Sequence, residues 1–306
     1  MLGLITDPAA PGGLVRRELP EPTPRDDEAI VAVRAFGVNR GELSLLERRP
    51  EGWMPGQDVA GTVVAAAADG SGPVAGSRVV AVGDGAGWSE SVAVPSARIG
   101  LLPDGVEFAD AAALPVAGLT ALRALRTGGP VIGRRVLVTG ATGGVGHFAV
   151  QLARVAGAHV TALVSGEHRL SEARALGAHA AFAGTLGEAD PYDFVIDGVG
   201  GEVLLDALHH VGTDATVTTY GMASGAPAPI AFTDFPRTSH ARLTGFFVYE
   251  TDLSTFGADL EYLAGLVAEG RLSVESGVRR DWSETVEALE ELRARRVVGK
   301  VTLTIG

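Results

Sequence analysis

The sequence predicts an α/β protein, with a β-rich first part followed by a doubly wound parallel sheet. Three observations carry this. Up to about residue 106, apolar runs are short, β-branched and separated by Gly/Pro/Ser turns. From residue 107 onward, strand-like and helix-like runs alternate, the rhythm of parallel strands joined by crossover helices. At 306 residues the chain exceeds one typical domain.

In order, strands are expected at Ala29–Ala35, Gly61–Ala65, Arg78–Val82 and Ser91–Val94, a small sheet folded on itself. Phe108–Leu125 is Ala/Leu-rich and reads as a helix broken near Pro115. Then strand Arg135–Thr139 leads to helix Gly144–Ala156, strand His159–Val164 to helix Arg169–Leu176, and strand Phe194–Asp197 to helix Glu202–His210. A strand at Thr216–Tyr220, helices at Phe256–Glu269 and Trp282–Arg295, and a closing strand Lys300–Ile305 complete the reading. The run Glu284–Arg296 reads as a solvated helix face with i,i+4 pairs.

A formal net charge of −12 argues against nucleic acid as a partner, because phosphate backbones need broad basic surfaces. With no cysteine, disulfides and thiolate-held zinc are excluded. The uncharged apolar stretch Val59–Ala68 is too short to cross a membrane. Met1–Pro8 lacks the basic and apolar regions of a signal peptide, so a cytoplasmic location is the expectation.

The most informative segment is Val136–Ala153. A β-branched run ends in small residues, Gly140-Ala141-Thr142-Gly143-Gly144-Val145-Gly146, and a helix begins at once. The spacing fits G-x-G-x-x-G with Ala141 in the first place. Exposed N–H groups and the positive end of the helix dipole suit a pyrophosphate there, and glycines allow close backbone approach. This is the signature of a Rossmann dinucleotide site. The end of the next strand, Ser165-Gly166-Glu167-His168-Arg169, selects between cofactors. NAD-binding chains usually place a carboxylate there for the ribose hydroxyls. Ser165 and Arg169 suit the 2′-phosphate of NADP(H), whereas Glu167 either opposes it or caps the following helix. Arg169 is otherwise a solvated first-turn residue.

Several ordered segments resemble the medium-chain dehydrogenase/reductase superfamily, and within it the zinc-free quinone oxidoreductase and enoyl reductase branch. These are Ala35–Glu42, Met54–Val63, Gly76–Val79, Ala111–Ala121, Asp197–Gly201 and Gly299–Val301. The resemblance implies a GroES-like β-barrel catalytic domain (1–115 and 250–306) and a Rossmann cofactor domain (116–249). It implies cofactor contacts from Asn39, Thr120, Gly143, Gly144, Val145, Gly146, Ser165, Arg169, Gly198, Tyr220, Phe246, Phe247, Val248 and Lys300. It places Asn39 by the nicotinamide and makes Leu243–Val248 a strand often used in a homodimer contact. Zinc-dependent relatives have a cysteine near Asn39 and a histidine near Gln57, so no metal is expected. Two departures stand out. Phe182 follows Gly177-Ala178 where NADPH-users often have tyrosine, and Arg40 stands where polyketide-type enoyl reductases carry a tyrosine donor.

The function this implies is hydride transfer from NADPH to a small electrophile, a quinone or an activated double bond. The acceptor oxygen needs a hydrogen-bond donor, for which Asn39, Arg40, Thr120 and Tyr220 are candidates, Asn39 and Tyr220 being the catalytic pair expected. His147 reads either as a cofactor or solvent contact or as structural, and Trp53 and Trp88 as cleft-mouth or packing residues. The alternative is a non-redox protein on the same fold, a cyclase or a binding protein.

Overall fold

The computed structural model describes residues 1–237 and 240–306. In chain order it has strands β1 (Leu2–Thr6), β2 (Leu14–Glu18) and β3 (Glu28–Val38), then helix α1 (Arg40–Arg48). Strands β4 (Asp58–Ala65), β5 (Arg78–Val82), β6 (Ser91–Pro95) and β7 (Ile99–Leu101) precede helices α2 (Phe108–Ala111) and α3 (Pro115–Thr127). Alternation follows: β8 (Arg135–Thr139), α4 (Gly146–Val155), β9 (His159–Val164), α5 (Leu170–Ala175), β10 (Ala180–Ala183), β11 (Tyr192–Asp197), α6 (Gly201–His209), β12 (Val211–Thr219) and β13 (Arg242–Gly245). The chain ends with α7 (Phe256–Ala268), β14 (Val278–Asp281), α8 (Thr285–Arg293) and β15 (Val301–Thr304).

The chain divides into two compact units, Met1–Leu119 with Tyr249–Gly306, and Thr120–Val248. The divisions fall at 119/120 and 248/249 rather than at 115/116 and 249/250, and the first lies inside α3. In the first unit, a sheet of order β14-β15-β3-β4-β5-β7 curls because β3 serves two partners along one side. Its first half pairs with β6 and its second half with β15. Irregularities near Ile30 and between Val33 and Ala35 mark the bend, as bulges do in barrels. Phe36 stacks on Trp88 at 5.5 Å in a Val/Leu core, both fully buried, so Trp88 is a packing residue.

In the second unit, six parallel strands run in the order β10-β9-β8-β11-β12-β13. Counted from β8 this is 3-2-1-4-5-6, the Rossmann order, which reverses between β8 and β11. Ligands of such sheets bind at the carboxyl ends of the strands flanking that reversal.

The structure adds elements that sequence patterning does not show. β1, β2, β10 and β14 are further short strands, four or five residues long. The helical stretch expected at Phe108–Leu125 breaks near Pro115 as expected, into α2 and α3, the latter opening on Pro115, where proline's missing N–H costs nothing.

Candidate functional site

The glycine turn lies at the C-terminal end of β8. Gly140 has φ +60°, and the turn closes so tightly that a Cβ on Gly146 would meet the Gly140 carbonyl oxygen at 2.1 Å. Only glycine fits there. Helix α4 starts with no side-chain cap on its N-cap residue Val145; the Gly143 and His147 N–H groups donate to the Gly140 and Gly143 carbonyls, and those of Gly144, Val145 and Gly146 face the turn for another acceptor. Gly143, Gly144 and Val145 are partly exposed around it. His147 is buried and donates its Nδ1–H to the Gly143 carbonyl at 3.0 Å, bracing the turn from inside.

Asp197, fully buried at the end of β11, ties the neighbouring strand ends together. It accepts from Thr139 Oγ1 on β8 at 2.6 Å, from Thr219 Oγ1 on β12 at 3.0 Å, and from the Val199 and Gly200 N–H groups. Tyr220 folds its phenol over Gly198, where a Cβ would lie 2.2 Å from its hydroxyl. Burial, and then the charge of Asp197, push that phenol well above its ordinary pKa. It therefore stays protonated, able to donate a hydrogen bond and unable to act as a base.

Beyond β9, Ser165 is exposed and Arg169 reaches back to the glycine turn, Nη1 donating to Thr142 Oγ1 at 3.3 Å. A cation therefore stands beside the turn. On the far side, the Phe246 N–H donates to the Thr219 carbonyl, Val248 is buried, and Phe247 is 60% exposed. Thr120 lies buried on α3.

Asn39 and Lys300 belong to the other unit and form a cluster there. Lys300 Nζ donates to Asn39 Oδ1 at 2.6 Å and to Asp58 Oδ2 at 3.1 Å. Asn39 Nδ2 donates to the same Asp58 oxygen at 2.9 Å. Asp58 Oδ1 accepts the Val116 N–H at 2.9 Å, a carboxylate from β4 at the N-terminus of α3. Glu42 sits one turn into α1, its Oε2 on the Asn39 N–H at 2.8 Å and its Oε1 on the Gln57 N–H at 3.2 Å. Lys300 is 3% exposed, and its ammonium is held between Asn39 and Asp58. The Arg40 guanidinium donates to the Leu292 carbonyl on α8 at 3.4 Å.

Glu42 is fully buried, and burial, reinforced by the negative charge of Asp58, pushes its pKa up to about 8. Burial, and then the charge of Asp58, also raise the phenol of Tyr249. Because Glu42 holds its proton more tightly in the folded chain, stability falls as pH rises from about 4.5 to about 8, by roughly 1.4 kcal/mol per pH unit from this group. Above about 8 both states are ionised and its slope vanishes. Glu42→Gln is expected to remove that slope, measured as thermal midpoints of wild type and variant from pH 5 to 9. Parallel curves for the two proteins would contradict the assignment.

Asp58, Asp197 and Thr142 carry no local signal as site residues; only Glu42 has one, an acid three residues after an N-cap asparagine.

Residues 25–104 match the family described as "Alcohol dehydrogenase GroES-like domain" and residues 144–264 the family described as "Zinc-binding dehydrogenase". The chloroplast envelope quinone oxidoreductase homolog of Arabidopsis thaliana is 38% identical over 54% of this chain, and the match spans 55% of that relative's length. The synaptic vesicle membrane protein VAT-1 homolog of Mus musculus is 30% identical over 93% of this chain and 78% of its own. A mycobacterial protein solved in complex with NADPH superposes with a TM-score of 0.87 at 25% identity, covering 100% of both chains. With the 3-2-1-4-5-6 sheet and the strand-curled GroES-like unit, these matches identify the chain as a member of the medium-chain dehydrogenase/reductase superfamily, in its quinone oxidoreductase-like branch.

Proposed function

We propose that this protein is an NADPH-dependent oxidoreductase that transfers hydride, without a metal, to a quinone or an α,β-unsaturated carbonyl compound. The observation that carries this reading is the uncapped α4 N-terminus with Arg169 bonded beside it at Thr142. Backbone N–H groups at 144–146 would hold the pyrophosphate, with Gly143 shaping the turn, and Arg169 with Ser165 would hold the 2′-phosphate. Gly198, Tyr220, Phe246, Phe247, Val248 and Thr120 would complete the cofactor contacts, making Thr120–Val248 the cofactor unit. Bound NADPH supplies the hydride.

The remaining Nδ2 hydrogen of Asn39 is the donor for the oxygen of the acceptor or of the carboxamide. Metal independence is supported by the residues themselves. No thiolate exists in the chain, and the Lys300 ammonium, itself a cation, lies 2.6 Å from Asn39 Oδ1. The exposed edge of β13, with Leu243 and Phe247, suits pairing with a second copy.

The test is NADPH oxidation, followed by absorbance, with a panel of quinones and enones, before and after exhaustive chelation. Tight NADPH binding with no oxidation by any acceptor favours a non-redox protein instead, and loss on chelation refutes metal independence. Arg169→Ala is expected to weaken NADPH binding about 10- to 100-fold while leaving NADH binding unchanged, since one charge-assisted contact is worth roughly 1.5–3 kcal/mol. Equal effects on both cofactors would remove Arg169 from the 2′-phosphate.

A further inference from the structure

The chain has 25 Lys and Arg residues, of which Lys300 is the single lysine. Every other cation is arginine, yet this buried position holds the smaller, tetrahedral ammonium. A planar guanidinium needs more room and presents its donors in one plane. Asn39 shows what the ammonium does. Asparagine is among the best N-cap residues, but the side chain of Asn39 makes no cap hydrogen bond to α1. Its oxygen is held by the Lys300 cation and one of its two Nδ2 hydrogens by the Asp58 anion. Rotating the amide by half a turn would set its NH2 against the ammonium and its oxygen against the carboxylate. Both charge-assisted bonds would be lost and two repulsions made. One orientation of the amide is therefore enforced from within the unit.

We propose that Lys300 is the positioning residue of Asn39. Together with Asp58, it fixes the amide so that the remaining Nδ2 hydrogen is the single donor Asn39 offers to a ligand. This deepens the reading above, on which Asn39 serves the reacting end of the cofactor and its acceptor. The cation also polarises the amide through Oδ1, strengthening the outward N–H as a donor. None of this needs Lys300 to touch the ligand, in keeping with its burial.

Because there is one lysine, protein grown with lysine labelled with ¹⁵N at Nζ gives one side-chain ammonium resonance. Asn39→Ala keeps the Lys300–Asp58 pair and is expected to shift that resonance in the absence of any ligand. NADPH is expected to shift it in the wild type but not in Asn39→Ala. A resonance indifferent to Asn39→Ala, or an NADPH response that survives it, overturns the proposal. In turnover, Asn39→Ala and Lys300→Met are each expected to lower kcat/KM for NADPH oxidation about 100-fold. The double variant is expected to be no worse than the poorer single one, whereas a merely structural lysine gives multiplied losses. Should the wild type fail to oxidise NADPH with every acceptor tried, the oxidoreductase reading fails while the ammonium resonance still decides the positioning role.

Discussion

Asp58→Leu is expected to lower the thermal midpoint by about 10 °C. The change strands the Lys300 ammonium, whose side chain is 2% exposed, without its counter-ion. It also removes the acceptor for Asn39 Nδ2 and for the Val116 N–H at the start of α3. Breaking a buried pair from one side costs about 3–5 kcal/mol, a large part of the roughly 5–15 kcal/mol that holds a folded domain. In a chain of this size each kcal/mol moves the midpoint by about 2–4 °C. Replacing both charges at once, Asp58→Leu with Lys300→Met, is expected to recover much of the loss, since a well-packed apolar pair often matches an ion pair in stability. Differential scanning calorimetry of the two proteins decides the matter. A single variant within about 2 °C of wild type would show that the pair holds nothing.

The second large effect concerns the glycine turn. Gly146→Ala is expected to weaken NADPH binding about 100-fold or more and to lower stability. The new methyl would stand 2.1 Å from the Gly140 oxygen and 2.9 Å from the Ala141 Cα, backbone atoms that no rotamer change can move away. The turn must open, and the N–H groups at the start of α4 lose their common aim on the pyrophosphate. Each such charge-assisted bond is worth roughly 1.5–3 kcal/mol, so misaligning two or three is enough. Gly265→Ala is the control, because a Cβ there meets nothing within 4 Å. In the middle of α7 it is expected to leave binding unchanged and to add about 0.5–1 kcal/mol of stability. Fluorescence titration with NADPH reads both, and equal affinities for the two variants would mean that the turn is not the phosphate site.

Much of the second unit is readable along the chain. β8, β9 and β11 and the helices after them are buried runs whose periodicity and turn residues lie next to one another in sequence. β13 is different. All four of its residues are exposed, so no apolar pattern announces it, and it exists because β12 offers a free edge. In the first unit, α1 is short and mostly polar, and only Leu43 among its apolar residues is buried, too few to reveal a helical face.

What the sequence determined by itself was the glycine turn, the alternation that builds a parallel sheet around it, and the absence of thiolates. Each is a matter of residue type and near spacing, set by backbone sterics and by the period of helix and strand. The tertiary structure alone decided the partners of the charged side chains. Asn39 meets Lys300 across 261 positions and Asp58 meets it across 242, while Arg169 turns back to Thr142 rather than out to solvent. Electrostatic contacts have no period and leave no trace between their partners in the chain. They exist only after β3, β4 and β15 have been brought side by side and the buried charges have nothing but one another to bind.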